Sequence, residues 1–253
     1  MGFSARSYGL MAGAAVVAAA LAGCNPPHPK PPTPPRVVSA LDCPGGQGDL
    51  TRQSAAADGK TCVYATDGGD QVTLQLVSLD GKDPGAVLGP VETQLKTELP
   101  AAGGDAPTPP GTPPVPDKDR VDIDLPGIHI HSSGDGQANI DAAGVHVDAR
   151  GGEHGSGDHA NVRVDGGGGG GGVTVNANDQ SAQIRVNEKG SGVRAVYILA
   201  SKTPGPHGYR AVGYEARGPA GGPIVVATIL AKSEDRDDLR HDVRELLRRN
   251  VGG

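Results

Sequence analysis

The chain has to build its hydrophobic core almost without aromatic side chains. Its 253 residues include no Trp, one Phe and five Tyr. Phe3 lies at the N-terminus, and the aromatic residues of the main body are Tyr64, Tyr197, Tyr209 and Tyr214. The core must therefore be made mainly of Val, Ile, Leu and Ala, each of which buries less surface than an aromatic ring. We expect a fold of modest stability.

The N-terminal segment has the layout of an export signal. Arg6 is the only charged residue before Cys24, and an Ala-rich apolar run extends from about Gly9 to Ala20. This run is too short to cross a hydrocarbon core of about 30 Å, which needs ~20 apolar residues. A basic start, a short apolar middle and small residues at the end are typical of a secretory signal.

The end of this segment resembles the lipobox of bacterial lipoproteins, because Leu21, Ala22 and Gly23 directly precede Cys24. The resemblance implies that residues 1–23 are a lipoprotein signal peptide. It also implies cleavage before Cys24, attachment of a diacylglycerol to its thiol and acylation of its new amino group. Two or three acyl chains make a stable membrane anchor. The alternative is an ordinary cleaved signal peptide with a cysteine near the cut by chance.

The residues after Cys24 predict a spacer between membrane and body. Residues 24–36 are rich in Pro, and such segments are extended and semi-rigid at ~3.1 Å per residue. Asn25, rather than Asp, follows the cysteine. In bacteria with two membranes this favours the outer membrane, with the protein facing the periplasm.

Two cysteines remain, Cys43 and Cys62. An exported chain meets oxidising conditions, so a disulfide between them is expected. The alternatives are a metal-binding pair and a redox couple, but the chain has neither a second cysteine pair nor CxxC spacing.

Residues 37–99 predict a small disulfide-linked α+β unit. The segments RVVSALDCP, KTCVYAT and QVTLQLVSL are interpreted as strands, and the last alternates apolar and polar residues with period two. A short amphipathic helix is predicted to begin near Pro90, because Leu88, Val91, Leu95 and Leu99 recur at three- and four-residue spacing. Residues 100–120 are a Pro-rich linker and a predicted domain boundary.

Residues 121–253 predict a β-repeat domain. VDIDLPGIHIH (121–131) aligns with ANIDAAGVHVD (138–148), and ANVRV and AQIRV echo the pattern further on. Stacked short strands of this kind fit either a short right-handed β-helix or a meandering sheet. The pattern resembles the repetitive β-domains of bacterial adhesins. The run of seven Gly at 166–172 is interpreted as a flexible loop, since no phosphate-binding signature follows it.

The C-terminal part predicts three longer strands and a helix. GVRAVYILAS, GYRAVGYEARG and GPIVVATILAK favour an antiparallel meander. A helix is predicted over 233–250, with Ser233 as N-cap, acidic residues in the first turn and Arg in the last. Its apolar stripe contains Leu239, Val243, Leu246 and Leu247. The basic end fits the helix dipole, with contact to anionic lipid as the alternative.

The segment GIHIH contains the strongest candidate metal ligands. On a strand, His129 and His131 share one face, and stacking of the repeats is expected to bring His146 beside His129 and Asp148 beside His131. Imidazoles and a carboxylate on one face can bind Zn²⁺ or Cu²⁺. The alternative is that these are solvent-facing polar residues of a half-buried sheet.

Taken together, the sequence predicts a mainly β, lipid-anchored cell-envelope protein that acts as a structural or interaction module. The expected partners are the membrane and an envelope protein or polymer. The net charge of −6 and the lack of a basic stripe argue against nucleic acid. We find no sequence motif of a catalytic site, so no enzyme activity is expected. The alternative function is transition-metal binding in the periplasm through His129, His131 and His146.

Overall fold

The computed structural model describes most of the chain from residue 34 onward, and the predicted signal peptide and Cys24 lie outside the described residues. The described residues are 34–103, 121–125, 128–133, 137–142, 145–150, 159–165, 172–178, 181–189, 192–232 and 237–252. Between residues 121 and 171, side chains are described only at His131 and Asn139, and both are exposed.

The first part of the described chain contains four strands followed by two helices. They are β1 (Gly46–Gln47), β2 (Leu50–Ala55), β3 (Thr61–Ala65), β4 (Gln71–Val77), α1 (Pro84–Glu98) and the short α2 (Pro100–Gly103). The predicted strands KTCVYAT and QVTLQLVSL correspond to β3 and β4.

The rest of the described chain contains ten strands and one helix. The strands of the predicted repeats are β5 (Val121–Leu125), β6 (Ile128–Ser133), β7 (Gln137–Ala142), β8 (Val145–Arg150), β9 (His159–Asp165), β10 (Gly172–Asn178) and β11 (Ser181–Lys189). The final elements are β12 (Gly192–Ser201), β13 (Ala211–Pro219), β14 (Ile224–Ala231) and α3 (Asp237–Val251). The three predicted C-terminal strands are confirmed, and so is the helix from Asp237 onward; its predicted N-cap, Ser233, lies outside the described residues.

The strands form two sheets. Ten strands make one sheet in the order β1-β2-β3-β4-β14-β13-β12-β11-β10-β9, and β5-β6-β7-β8 make a second. Every described strand pair is antiparallel. The protein is therefore mainly β, as predicted. The β-helix alternative is wrong for these strands, because its stacked coils need parallel pairing, whereas the strands from β5 to β8 and from β9 to β14 form meanders.

The internal repeat corresponds to a β-hairpin. The copy at 121–131 forms β5 and most of β6, with Ile123 opposite Ile130. The copy at 138–148 forms most of β7 and β8, with Ile140 opposite Val147. The two copies therefore use the same register, and each places its aligned aliphatic residues directly across from one another.

The N-terminal strands belong to the same sheet as the C-terminal strands. β4 pairs with β14, with Val72 opposite Ile229 and Leu74 opposite Ala227. Residues 37–99, expected to form a unit of their own, therefore provide one side of a shared sheet. The physical reason is that β14 has two pairing edges, and β4 occupies the one that β13 leaves open.

Two hydrophobic cores lie on opposite faces of the large sheet. One contains Leu88 and Leu95 of α1 packed with Tyr197 and Tyr214. The other contains the apolar stripe of α3 packed with residues of β2, β3, β4 and β14. The four stripe residues predicted from the sequence, Leu239, Val243, Leu246 and Leu247, are all buried.

Helix α1 begins six residues earlier than predicted. Its N-cap is Asp83, whose carboxylate accepts a hydrogen bond from Gly85 N at 2.8 Å. Pro84 then occupies the first turn, where a missing N–H has no cost. Pro90, expected at the start, lies inside the helix. The prediction was wrong because Asp83 and Pro84 provide the stronger start signal.

The segment RVVSALDCP, predicted as a strand, has no strand structure in the described residues 36–44. Its backbone groups bond to other partners, since Arg36 N donates to Val251 O at 2.7 Å and Leu41 N donates to Gly59 O at 2.7 Å. The segment therefore connects with the end of α3 and a turn instead of pairing in a sheet.

Candidate functional site

The predicted disulfide is present. Cys43 is joined to Cys62 across a sequence separation of 19 residues, with 6.3 Å between the two Cα atoms. Cys62 lies in β3 and is fully buried in the core beneath α3. The bond thus ties the segment that precedes β1 to the interior of the sheet.

The four-stranded sheet places acidic and imidazole-bearing residues in register on one face. Asp124 is opposite His129, His129 is opposite Asp141, and Asp141 is opposite His146. Residues directly opposite in an antiparallel pair lie on the same face. We call these four residues the histidine row: Asp124, His129, Asp141 and His146.

A second row runs beside the histidine row, two residues along each strand and hence on the same face. It consists of Asp122, His131, Asn139 and Asp148, and we call it the neighbouring row. His131 and Asn139 are exposed. The alternate positions on the same strands are largely aliphatic, so the sheet is amphipathic and the two rows lie on its polar face.

The register corrects the sequence prediction for these residues. His146 does not lie beside His129, because β7 runs between β6 and β8 and places Asp141 between them. Asp148 is likewise separated from His131 by Asn139. The error arose from stacking the two repeat copies directly, whereas each copy is a hairpin. Asp141 was missed as a candidate because its position depends on this register.

Among the side chains that the structure describes, no group of three His, Cys, Asp or Glu residues could hold a metal ion. The side chains of His129 and His146 lie outside that set. His159 is in β9 of the large sheet, opposite Asn178.

A partly buried polar cluster lies beneath α1. Glu92 of α1 accepts a hydrogen bond from the Tyr214 hydroxyl at 2.9 Å and forms an ion pair with Arg185 of β11. The Arg185 guanidinium carbon is 5.5 Å from the centroid of the Tyr197 ring. The Tyr197 and Tyr214 rings are stacked with centroids 5.8 Å apart. Helix α1 is thus joined to three adjacent strands.

The phenols of this cluster are held in their neutral form. Burial raises the pKa of Tyr197 to about 12, with the negative charge of Glu92 adding to the effect and Arg185 opposing it. Burial and Glu92 also raise the pKa of Tyr214 strongly. Because both pKa values are raised, both phenols are protonated near neutral pH and neither can act as a base. This favours a packing role for the cluster.

A mainly apolar cleft lies between α3 and the face of β12, β13 and β14. Its empty volume of about 490 Å³ includes open solvent, so the enclosed part is smaller. At its floor, a Cβ on Gly213 would lie 2.3 Å from Tyr197 O, so only glycine fits there. Glu215 and Arg240 are the charged residues of its lining. Burial lowers the pKa of Arg240.

Helix α3 is hydrogen-bonded to residues of the segment that precedes β1. Asn250 accepts from Asp42 N at 2.8 Å and donates to Asp42 O at 3.2 Å and to Leu246 O at 2.8 Å. Arg36 donates from Nη2 to Arg249 O at 2.7 Å, one of the last carbonyls of the helix.

No family model, curated protein or solved structure matches this chain. Within the described part of the chain, no helix is both long enough and apolar enough to cross a bilayer.

Proposed function

We propose that this chain is a lipid-anchored cell-envelope protein whose β body acts as a structural or interaction module rather than as an enzyme. The anchor is a lipid on Cys24, and residues 24–36 are the tether. In a bacterium with two membranes the protein faces the periplasm from the outer membrane. The observation that carries the proposal is the junction between tether and body.

At that junction the last residue of the tether, Arg36, is hydrogen-bonded to the C-terminal end of α3. The apolar stripe of α3 is itself buried in the core. Arg36 is hydrogen-bonded through its backbone N–H to Val251 O at 2.7 Å and through its side chain to Arg249 O at 2.7 Å. Arginine at a helix C-terminus also interacts favourably with the unpaired carbonyls and the dipole. A load on the tether therefore passes to α3, whose stripe is buried against the large sheet.

The disulfide supports an address outside the cytoplasm. Cys43 lies seven positions beyond Arg36 and is bonded to the buried Cys62 of β3. Disulfides of this structural type persist in oxidising compartments and are rare in the cytosol. The covalent link also fixes the first body residues to the sheet, as a surface-tethered module requires.

Metabolic labelling with radioactive palmitate tests the anchor. We expect label in the wild-type protein and none in Cys24→Ser. The matched control is Cys62→Ser, the same exchange at a cysteine of the body, which should retain the label. Label in Cys24→Ser, or no label in the wild type, would contradict the proposal.

Crosslinking in living cells, with mass spectrometry of the captured proteins, tests the interaction role. We expect envelope proteins or polymer-linked peptides that are absent when the body is released by Cys24→Ser. A set identical to that captured by an unrelated lipoprotein of similar size would argue against a specific partner.

A further inference from the structure

We infer that residues 35–42, which we call the strap, form a releasable connection between tether and body with a covalent stop behind it. When the tether is pulled, the strap detaches from the body, and the disulfide between Cys43 and Cys62 ends the extension. The inference rests on the proposed function in one respect, because a load on the strap requires an anchor at Cys24. The contacts that support it do not involve the lipid.

The strap begins in a notch at one end of the large sheet. A Cβ on Gly192 would lie 2.6 Å from Cγ of Pro35 and 2.9 Å from Gly218 O. A side chain at position 192 would therefore collide with the proline ring. Pro35 is partly buried, whereas Pro34 before it is exposed. The ring of Pro35 thus occupies space that is open because Gly192 has no side chain.

The strap continues along the C-terminal end of α3. Arg36 N donates to Val251 O at 2.7 Å, and Arg36 Nη2 donates to Arg249 O at 2.7 Å. Val38 and Leu41 are partly buried against the core beneath α3. The strap therefore joins the end of the sheet to the end of the helix.

The backbone hydrogen bonds of the strap are scattered among different partners. Leu41 N donates to Gly59 O at 2.7 Å, and the backbone of Asp42 bonds to the Asn250 side chain. Strand β3, by contrast, is paired with β2 on one side and β4 on the other. Segments with few buried apolar contacts and without a regular ladder open most easily. We therefore expect the strap to detach at a lower load than β3.

The covalent stop directly follows the strap. Cys43 is bonded to Cys62, which is fully buried in β3. Once the strap has detached, the load passes through the two sulfur atoms to a strand that is paired on both sides. The residues 35–42 can extend by at most about 3.3–3.6 Å each. The released length therefore stays below about 30 Å while the disulfide is intact.

Single-molecule force spectroscopy on the full chain, produced without lipidation, tests this inference. One handle is joined by a thioether to the thiol of Cys24, the one cysteine outside the disulfide. The other is joined to an azide-bearing residue introduced at Lys202, which is exposed between β12 and β13. We expect an early step of at most about 30 Å before the sheet unfolds. Unfolding of the sheet with no earlier step would overturn the strap.

Reduction of the disulfide in the same molecules tests the stop, and thiol labelling verifies that the reduction is complete. The first extension should then exceed the limit, because the sequence separation of 19 residues between Cys43 and Cys62 adds to the chain that can be pulled out. Equal first extensions before and after reduction would overturn the stop. So would a first step longer than about 30 Å in the oxidised chain.

Exchange of single prolines tests the notch. Pro35→Ala should raise the rate of the first step at a given load by about threefold or more, because the partly buried ring loses its apolar contacts. The matched control is Pro34→Ala, the same exchange at the exposed neighbour, which should leave the rate nearly unchanged. Equal effects of the two exchanges would overturn the role of the notch. Palmitate labelling tests the anchor separately, so an unlabelled protein with the expected steps would refute the lipid and not the strap.

Discussion

At the scale of single residues, the two stacked tyrosines differ in one hydrogen bond. Tyr214 donates to Glu92 at 2.9 Å. The Tyr197 hydroxyl is buried and has no hydrogen-bond partner within the part of the chain that the structure describes. A buried polar group without a partner costs its desolvation energy, whereas a hydrogen bond to a charged group contributes about 1.5–3 kcal/mol. The two hydroxyls therefore have opposite effects on stability.

We expect Tyr214→Phe to lower the free energy of unfolding by about 1–3 kcal/mol, because Glu92 loses a donor in a half-enclosed site. Tyr197→Phe should leave it unchanged or raise it by up to about 1 kcal/mol, since the same atom is removed without breaking a bond. Urea unfolding of both variants beside the wild type measures the difference. Equal destabilisation by the two exchanges would show that Tyr197 has a partner after all.

This cluster could not have been found from the sequence. Glu92 is separated from Arg185 by 93 residues and from Tyr214 by 122. No local pattern links them, because their proximity depends on which strands pair and on the face that α1 covers. The disulfide was predictable because Cys43 and Cys62 are the two cysteines that follow Cys24. The pairing therefore did not depend on knowing the fold.

At the scale of elements, α3 shows which signals are local. Its acidic first turn, basic last turn and apolar stripe all lie within one stretch of sequence. Helix α3 (Asp237–Val251) therefore ends only one residue after the predicted end at 250. The hairpin of β1 and β2 was missed because its strands are short and largely exposed. Its position is fixed by a distant residue, Asp242 of α3, which accepts from Asp49 N at 3.1 Å.

The side-chain amide of Asn250 joins α3 to Asp42 in the segment that precedes β1. It accepts from Asp42 N and donates to Asp42 O, and Asn250 is buried. We expect Asn250→Ala to lower the free energy of unfolding by about 2–3 kcal/mol, because backbone groups lose partners that solvent replaces only in part. Thermal unfolding measures the effect.

Arg249→Ala is the control for this exchange. Arg249 also contacts Asp42, through an ion pair at 3.5 Å in which both side chains are about half exposed. Exposed ion pairs contribute at most about 1 kcal/mol, and often nothing measurable. A larger loss from Arg249→Ala than from Asn250→Ala would mean that charge, rather than backbone hydrogen bonding, holds the helix end.

At the scale of the whole molecule, buried tyrosines make stability depend on alkaline pH. The pKa of Tyr197 is raised to about 12, against an ordinary value of about 10, so the folded state retains a proton that the unfolded state loses. The contribution is fully present below about pH 10 and is lost as the pH rises to 12. This rise in the pKa of Tyr197 corresponds to at most about 3 kcal/mol of the free energy of unfolding.

We therefore expect the free energy of unfolding to fall between pH 10 and 12, and to fall less steeply in Tyr197→Phe. Absorbance at 295 nm should show at least two tyrosines that titrate above the ordinary range, since the pKa of Tyr214 is raised as well. Parallel pH profiles for the wild type and Tyr197→Phe would contradict this assignment.

The strand order of the large sheet joins the first and the last strands of the described chain, since β4 pairs with β14. The apolar alternation of QVTLQLVSL indicated a half-buried strand, but nothing in it specified β14 as a neighbour. The start of the predicted Pro-rich linker at 100–120 is wrong, because Pro100–Gly103 form α2; the rest of that stretch, 104–120, lies outside the described residues. Residues of β2, β3 and β4 are buried beneath α3, in a core that also contains Val225 and Ala227 of β14.

We expect residues 37–99, expressed alone, to remain unfolded even with the disulfide formed. The fragment lacks β14, which pairs along the whole of β4, and it lacks α3, whose absence leaves Leu50, Tyr64 and Leu74 exposed to water. A half-sheet with one uncovered apolar face cannot offset the conformational entropy of folding. Its ¹H–¹⁵N spectrum should show narrow amide dispersion, which should widen on mixing with residues 121–253 if the two parts associate. Wide dispersion in the isolated fragment would instead identify 37–99 as an independent domain, and the pairing of β4 with β14 would then be a contact between two units that fold separately.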